Sequence, residues 1–308
     1  MSLTPKDLHG MHAATIVPMK SDFSIDEATL AQHIRSVSHT PGINGLLVNG
    51  HAGENFVLSS EEKRRVIDIA RDVAPEDCVV CSGINAESSL DAAKDARIAQ
   101  DAGADVLLVF PPNSFALSHD PEAAFIHQEH VLANTDLPIL LYGAPIGAGA
   151  MAYDAATLSR LAANPRVFGI KEGSWEVAAY EANRRLLKSL RPDFVVLGSG
   201  DEHLLTSYII GSEGSQVSLA AVAPTLCADF YEAASGGQWD RARQLHDRIY
   251  PLALAIYRQA PGGRATARLK ACLMILGRLH EATVRPPQPP VSHIEIQRLT
   301  SALAAAGL

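Results

Sequence analysis

Short apolar, β-prone runs alternate with longer stretches of helical period along most of this 308-residue chain. One run follows another every 20 to 36 residues, which is the length of one strand–helix unit, and Gly or Pro interrupts nearly every interval. Alternating units of this kind predict an α/β protein with a parallel sheet, and eight of them predict a closed (β/α)8 TIM barrel. The predicted strands are residues 13–17, 43–49, 79–82, 105–110, 139–142, 167–171, 194–198 and 214–218.

The alternation stops near residue 223, and the rest of the chain has a mainly helical pattern. We therefore divide the chain into a barrel, residues 1–223, and a C-terminal helical region, residues 224–308. Ala-rich helices of this length gain stability mostly from packing, so we expect the tail to pack on the barrel. The predicted helices are residues 26–39, 88–102, 122–134, 153–163, 226–234, 239–256, 264–276 and 292–305, together with one that begins near Ser59. A proline-rich segment, residues 285–290, connects the last two helices.

Composition narrows the functional classes. A chain that is 47% hydrophobic can bury a large core, and its net charge of −8 provides no basic surface for nucleic acid. No apolar run approaches the roughly 18 residues of a membrane span, and no signal peptide is recognisable, so we expect a cytoplasmic protein without a membrane partner. No G-x-G-x-x-G follows the first strand, so we expect no dinucleotide or other cofactor.

Two groups of residues have metal-ligand spacing, but neither predicts a metal site. Cys78 and Cys81 lie in a strand pattern, where residues three apart point to opposite faces, so we interpret them as core thiols. His127 and His130 share a helix pattern, and we place them on a solvated face of that helix. We therefore expect no bound metal.

Lys171 is the leading candidate for chemistry, because it ends an apolar strand where a lysine is either paired or chemically used. The reactive residues of a (β/α)8 barrel project from the C-terminal ends of strands. Tyr142 ends the preceding strand, so a phenol and an amine can meet on one substrate, the amine forming an imine and the phenol moving protons. The alternatives are a structural ion pair for Lys171 and a core phenol for Tyr142.

Other strand ends supply candidate substrate-binding residues. Gly50 and Gly53 let backbone amides approach a carboxylate, although such glycines also occur in ordinary turns. We expect Glu54 to brace this loop rather than to act on substrate. Gln216, at the end of the eighth strand, completes the predicted substrate-binding set of Gly50, His51, Ala52 and Gln216.

Three motifs resemble those of the dihydrodipicolinate synthase/N-acetylneuraminate lyase family of Schiff-base aldolases and lyases. They are Gly50-x-x-Gly53-Glu54, Tyr142-x-x-Pro145 and Gly169-Ile170-Lys171-Glu172. The resemblance implies that Lys171 forms an imine with a 2-oxo acid such as pyruvate, that Tyr142 relays protons and that segment 50–52 holds the carboxylate. It also implies a homo-oligomer, commonly a tetramer.

Several positions depart from the family pattern. His51 and Ala52 replace the two hydroxyl residues of the carboxylate loop, and no tyrosine occurs in segment 110–113. Dihydrodipicolinate synthases also place an arginine shortly after the Y-N-x-P motif, which is absent here, so we expect a different second substrate. A roomy pocket shaped by the glycine-rich segment 147–150 suits a longer or aromatic aldehyde or a sugar-derived acid. With a pKa near neutrality, His51 would bind or protonate substrate; the alternative is a loop-bracing role.

The leading hypothesis is therefore a class I lyase, an aldolase or dehydratase, that acts on pyruvate or on a 2-keto-3-deoxy sugar acid. The first alternative is a barrel that binds 2-oxo acids without catalysis. The second is a metal-dependent aldolase with ligands drawn from His51, Glu54, Glu172 and Asp201.

Overall fold

Eight parallel strands close into a barrel in the computed structural model, which describes residues 3–117, 120–261 and 263–308. Each strand pairs with its neighbours in chain order, and β1 pairs with β8 to complete the closure. The predicted barrel is thus confirmed. The strands are β1 Gly10–Ala14, β2 Ile43–Val48, β3 Val79–Ile84, β4 Val106–Val109, β5 Ile139–Gly143, β6 Val167–Glu172, β7 Val195–Gly198 and β8 Gly214–Val217.

The position of the first strand was predicted wrongly. Residues 13–17 were expected, but the strand begins at Gly10, which pairs with Gly214 of β8. His12 interrupts the apolar pattern, yet it is buried in the strand, and its Nε2 lies 3.1 Å from the Leu8 carbonyl oxygen. A polar residue with a local hydrogen-bond partner concealed the start of a core strand.

Helices cover the outside of the barrel and form the tail. Helix α2 begins with a capping box, in which the Ser59 hydroxyl accepts from the Glu62 N–H and the Glu62 carboxylate accepts from the Ser59 N–H. The helices are α1 Glu27–Ser38, α2 Ser60–Val73, α3 Ser89–Asp101, α4 Pro121–Ala133, α5 Ala155–Ala162, α6 Val177–Leu190, α7 Leu204–Ile210, α8 Leu219–Val222, α9 Pro224–Ser235, α10 Trp239–Tyr257, α11 Ala265–Ile275 and α12 His293–Ala306. In the described part of the chain, none of them is long and apolar enough to cross a membrane.

The two histidines of α4 do not share a solvated face. His127 is buried, and its Nδ1 lies 3.2 Å from the Ser89 hydroxyl of α3, whereas His130 is exposed. The prediction was wrong for His127, because α4 packs closely on α3 and a polar side chain with a partner can be buried there.

Apolar residues form two layers. The inner layer fills the barrel and includes Leu47, Leu108, Leu140 and Leu197, while the outer layer lies between the strands and the helices. Cys81 belongs to the inner layer and Cys78 to the outer one, so the two thiols occupy opposite faces of the sheet as predicted.

The tail shares the outer layer with the barrel. Ile34 of α1, Ile256 of α10, Leu269 of α11 and Leu299 of α12 belong to one continuous cluster of buried residues. The C-terminal helices therefore pack on the barrel, as expected for apolar helices that need a partner surface.

Candidate active site

Lys171 and Tyr142 lie side by side at the mouth of the barrel. The parallel pairing of β5 and β6 places Tyr142 directly opposite Lys171, so their side chains leave the sheet on the same face. Both line a cavity of about 810 Å³. The predicted juxtaposition of phenol and amine is present in the structure.

The glycine two residues before Lys171 allows β6 and β7 to approach each other. A Cβ atom on Gly169 would lie 2.3 Å from the carbonyl oxygen of Val195, which is closer than such atoms come in real structures. The Gly169-Ile170-Lys171 sequence thus has a local steric reason.

Lys171 has an unusually acidic ammonium group. Burial lowers its pKa from the ordinary value to about 8, while the nearby Asp201 carboxylate and Cys81 act in the opposite direction. Among the described residues, its amine makes no ion pair within 4 Å and no hydrogen bond. A lysine of this kind has a substantial neutral fraction at mildly alkaline pH, as a nucleophile requires.

Tyr142 is held among aromatic rings. Its ring centroid lies 4.6 Å from that of Phe110 and 5.3 Å from that of His51. Burial raises the pKa of the phenol to about 12, with a further increase from Glu172. The hydroxyl therefore stays protonated near neutral pH, and within the described ranges it makes no hydrogen bond to another residue.

The loop after β2 contributes to the wall of the cavity. It forms one short helical turn, His51–Gly53, preceded by Gly50. The first N–H groups of such a turn have no acceptor within it, so those of His51 and Ala52 are available to a carboxylate. His51 and Ala52 line the cavity, whereas Gly50 packs against Leu47 beneath it.

Residues from the tail hold this loop in place. Glu54 has a left-handed backbone, with φ of 57°, and its buried carboxylate pairs with Lys270 of α11. The carboxylate also accepts from the Arg285 N–H at 3.0 Å, and the Thr266 hydroxyl donates to the His51 carbonyl at 3.2 Å. Glu54 thus has the predicted bracing role, and its partners lie more than 200 residues away in the sequence.

The expectation of a near-neutral pKa for His51 is wrong. Its ring is stacked between Phe56 and Phe110, with centroids 4.7 and 4.3 Å away. Burial and the charge of Lys171 lower the pKa of the imidazole to about 3. His51 is therefore neutral at physiological pH and has no acidic proton to give as an imidazolium, although its buried Nε2 has no partner among the described residues.

On the other side of Lys171, a carboxylate and two hydroxyl groups form a chain. Asp201 Oδ1 accepts from the Leu219 N–H at 3.0 Å and from the Tyr257 hydroxyl at 3.1 Å. The Tyr257 hydroxyl lies 2.7 Å from the Ser218 hydroxyl. All three side chains line the cavity, and Tyr257 comes from α10 of the tail.

Gln216 also lines the cavity. It is fully buried beside the Cys81 thiol, and its amide makes no hydrogen bond to a nitrogen or oxygen atom of the described residues. Leaving a buried amide unsatisfied is unfavourable by about 1–3 kcal/mol, so a bound polar group would be stabilised there.

The geometry argues against the metal-dependent alternative and corrects the expectation for segment 147–150. The proposed metal ligands do not converge: Glu54 pairs with Lys270, and Glu172 accepts from Ser174 and Asn183 beside a separate cavity of about 120 Å³. In the described residues, no group of three or more candidate ligands could hold a metal ion. Gly149 and Ala150 line a different cavity, beside Phe115, so segment 147–150 does not shape the site.

Sequence reasoning missed the contribution of the tail to the site. Trp175 follows β6, and its ring lies 5.6 Å from that of Tyr257, with the Arg258 guanidinium 4.5 Å from its centroid. Thr266 and Arg264, at the start of α11, line the same cavity. No strand-end pattern marks Arg264 and Thr266, because these residues of the tail reach the cavity only through tertiary packing.

Comparisons with known proteins agree with this architecture. The model of the Dihydrodipicolinate synthetase family matches residues 7–306. A 4-hydroxy-tetrahydrodipicolinate synthase from Sphingopyxis alaskensis is 31% identical over 302 residues, which cover 97% of this chain and 99% of that protein.

Solved structures have the same fold. A chloride-inhibited dihydrodipicolinate synthase from Acinetobacter baumannii, complexed with pyruvate, is 25% identical, with a TM-score of 0.87 over 97% of this chain and 99% of that one. The dihydrodipicolinate synthase of Thermotoga maritima is 24% identical, with a TM-score of 0.89 over 97% of this chain and 98% of its own.

Proposed function

This chain belongs to the dihydrodipicolinate synthetase family, and from that premise we propose that it is a class I lyase that acts on a 2-oxo acid through a Schiff base on Lys171. The observation that carries the proposal is the pairing of Lys171 with Tyr142 on adjacent strands in a single cavity. The structure of the Acinetobacter baumannii relative with pyruvate supports pyruvate as the 2-oxo acid.

In the proposed reaction, the neutral amine of Lys171 attacks the ketone carbon of the 2-oxo acid. The carbinolamine loses water to give a protonated imine, and the Tyr142 hydroxyl supplies the proton that the leaving oxygen needs. The imine withdraws electrons, so the C3 carbon can lose a proton, or the C3–C4 bond can break, with formation of an enamine. The pKa of Lys171, lowered to about 8 by burial, favours the first step.

Binding of the substrate uses the loop after β2 and the barrel floor. We assign the substrate carboxylate to the backbone N–H groups of segment 50–52, in which His51 and Ala52 line the same cavity as Lys171. We assign a further polar group of the substrate to the unsatisfied amide of Gln216. Hydrogen-bond donors that are already oriented in the free enzyme stabilise charge on the substrate without a rearrangement of the protein during the reaction.

The second substrate differs, in this proposal, from that of dihydrodipicolinate synthases. The hydroxyl residues of the family's loop are replaced by His51 and Ala52, and Ile146 follows Pro145 where such a synthase would soon have an arginine. A cavity of about 810 Å³ is far larger than pyruvate requires, which leaves room for an aldehyde or for a 2-keto-3-deoxy sugar acid.

Trapping with borohydride tests the imine. Incubation of the protein with pyruvate and sodium borohydride should add the mass of a reduced pyruvate adduct to the peptide that contains Lys171. Lys171→Ala should abolish the adduct, since no other amine at the cavity is a nucleophile in this mechanism. Tyr142→Phe should still form adduct, but more slowly, by about 100-fold or more, because the proton donor is lost.

An unmodified wild-type protein would refute the proposal and favour a barrel that binds without catalysis. Lys188→Ala is the matched control, because Lys188 pairs with Glu213 outside the cavity and its loss should leave the adduct unchanged. A panel of 2-keto-3-deoxy sugar acids and of aldehydes with pyruvate, followed by product analysis, identifies the second substrate.

A further inference from the structure

We propose that Asp201 is a second catalytic residue, the base that removes the C3 proton from the imine and returns it to the enamine. This inference rests on the imine proposed for Lys171. It assigns the two kinds of proton transfer to different groups: those at the carbinolamine oxygen to Tyr142, and those at the C3 carbon to Asp201.

The topology places Asp201 on the opposite side of Lys171 from Tyr142. Strand β6 has two neighbours: β5, which ends with Tyr142 and Gly143, and β7, which ends at Gly198. The chain then turns so that Asp201 lines the cavity three residues later. Asp201 and Lys171 line the same cavity and interact electrostatically.

One oxygen of the Asp201 carboxylate is used by the protein and the other is not. Oδ1 accepts both hydrogen bonds, from the Leu219 N–H and from the Tyr257 hydroxyl. Oδ2 accepts no hydrogen bond from any residue in the described ranges. Asp201 is only 2% exposed and lines the cavity, so Oδ2 can accept a hydrogen bond or a proton from a bound ligand.

A path for protons leads away from Asp201. The Tyr257 hydroxyl bridges Asp201 and the Ser218 hydroxyl, at 3.1 and 2.7 Å, and both hydroxyl side chains line the cavity. Tyr142, by contrast, makes no hydrogen bond within the described part of the chain, so no chain of protein hydroxyl groups extends from it. The hydroxyl chain that the loop after β2 lacks is thus present on the opposite side, supplied partly by the tail.

The charges around Asp201 suit a base that works near neutral pH. Burial raises the pKa of Asp201 to about 7, and the neighbouring Glu202 raises it further. Lys171, the Leu219 N–H and the Tyr257 hydroxyl act in the opposite direction, and Cys227 of α9 also faces this carboxylate. The Tyr142 phenol, with its pKa raised to about 12, stays protonated near pH 7 and therefore does not serve as the base for the C3 proton there.

The proposed step is balanced within the site. Oδ2 of Asp201 takes the proton from C3, and the electrons of the C3–H bond form the C2–C3 double bond. The π electrons of the C2–N double bond move to the nitrogen, which leaves a neutral enamine and a neutral carboxylic acid. The reverse step returns a proton to C3, and this proton comes from solvent once the carboxyl group has exchanged.

Pyruvate alone tests this assignment in two separate measurements. Borohydride trapping measures the imine, and the loss of the methyl proton signal of pyruvate in D₂O, followed by NMR, measures passage through the enamine. Asp201→Asn keeps the Oδ1 acceptor, so it should give an adduct yield close to that of the wild type at saturating pyruvate. Its exchange rate should fall by about 100-fold or more.

The pH profile distinguishes a base from a residue that only supports the fold. In the wild type, exchange per imine should rise as the pH passes through about 7, and Asp201→Asn should lack that rise. Tyr257→Phe removes a donor that stabilises the carboxylate, so the midpoint should move to higher pH.

Each outcome is decisive. An Asp201→Asn variant that exchanges the methyl protons as fast as the wild type overturns the assignment to Asp201. So does parallel loss of adduct and exchange, which indicates a structural role, and so does a wild type that forms adduct without exchange. A wild type that forms no adduct refutes the proposed function itself, which is a different result from any of these.

Discussion

Gly169 and Gly147 show how differently two glycines of one chain are constrained. A Cβ atom on Gly169 would meet the Val195 carbonyl oxygen at 2.3 Å, in the backbone of the adjacent strand, which cannot swing aside as a flexible side chain can. A Cβ atom on Gly147 would have nothing within 4 Å. The first glycine sets the spacing between two strands beside Lys171, whereas the second does not limit packing.

We predict that Gly169→Ala destabilises the protein by about 1–3 kcal/mol, the usual effect of forcing an extra carbon into a packed core. It should also slow trapping of pyruvate, because Lys171 lies two residues further along the same strand. Gly147→Ala is the matched control and should change the free energy of unfolding by no more than about 0.5 kcal/mol. Urea denaturation measures both; equal stabilities for the two variants would contradict the steric argument.

The rate of imine formation should depend on the protonation of Lys171. Because the amine reacts only when neutral and its pKa is lowered to about 8, the initial rate of pyruvate trapping should rise with pH and level off above about 8. Asp201→Asn removes a charge that favours the ammonium form, so the midpoint should move to lower pH. A midpoint near 10, the ordinary value for lysine, would show that the amine is solvated.

The sequence alone predicted the positions of site residues that lie at strand ends. It did not predict the residues that reach the site from other parts of the chain. Lys171 and Tyr142 end regular strands, so their juxtaposition could be predicted from register alone. The environment of His51 could not, because its neutral state arises from Phe56, Phe110 and the charge of Lys171, which are brought together by folding.

At the level of elements, the short loop after β2 depends on α11. The buried pair of Glu54 and Lys270 joins them, and the Lys270 amine also donates to the Thr283 carbonyl at 2.7 Å. Removal of one member of a buried ion pair leaves the other charge without its partner and costs about 3–5 kcal/mol. The loop after β2 is therefore coupled to the stability of the tail.

We predict that Lys270→Met destabilises the protein by about 3–5 kcal/mol and raises the pyruvate concentration needed for half-maximal trapping. The double variant Glu54→Gln/Lys270→Met should be more stable than Lys270→Met alone, because it removes the isolated carboxylate. Arg185→Ala breaks an exposed pair with Glu181 and should cost only about 0.3–0.5 kcal/mol. If Lys270→Met were as stable as that control, the ion pair would not brace the loop.

Strands and helices were predictable as elements because their periods differ and because glycine and proline separate them. The ends were less predictable, as β1 illustrates: the pattern starts at Ala13, but pairing with β8 starts at Gly10. This pairing depends on a strand about 200 residues away in the sequence, and the local periodicity of residues 10–17 carries no information about that strand.

At the scale of the whole molecule, we predict that barrel and tail unfold together. They share one buried cluster and are joined by the pairs of Glu54 with Lys270 and of Arg285 with Glu62. The chain has two tryptophans, Trp175 after β6 and Trp239 in α10, so Trp175→Phe and Trp239→Phe leave one reporter each. The fluorescence midpoints in urea should coincide with each variant's own far-UV circular dichroism midpoint; separate transitions would show two independently folding domains.

The oligomeric state is also a prediction at this scale. Resemblance to the family leads us to expect a homo-oligomer, commonly a tetramer. Sedimentation velocity over a range of protein concentrations measures the mass directly, and a species of 32.8 kDa at every concentration would contradict the expectation.

Three residues of the C-terminal region, Tyr257, Thr266 and Gln288, line the cavity. The residues proposed to carry out the reaction and several of those that would contact the rest of the substrate therefore come from different parts of the chain. Lys171 and Tyr142, the proposed nucleophile and proton donor, belong to strands of the barrel. Thr266 and Gln288 lie in the C-terminal region and are not part of the proposed proton transfers. Exchange of the segments that carry Thr266 and Gln288 between relatives is thus a route by which new substrates can be acquired while Lys171 and Tyr257 are retained.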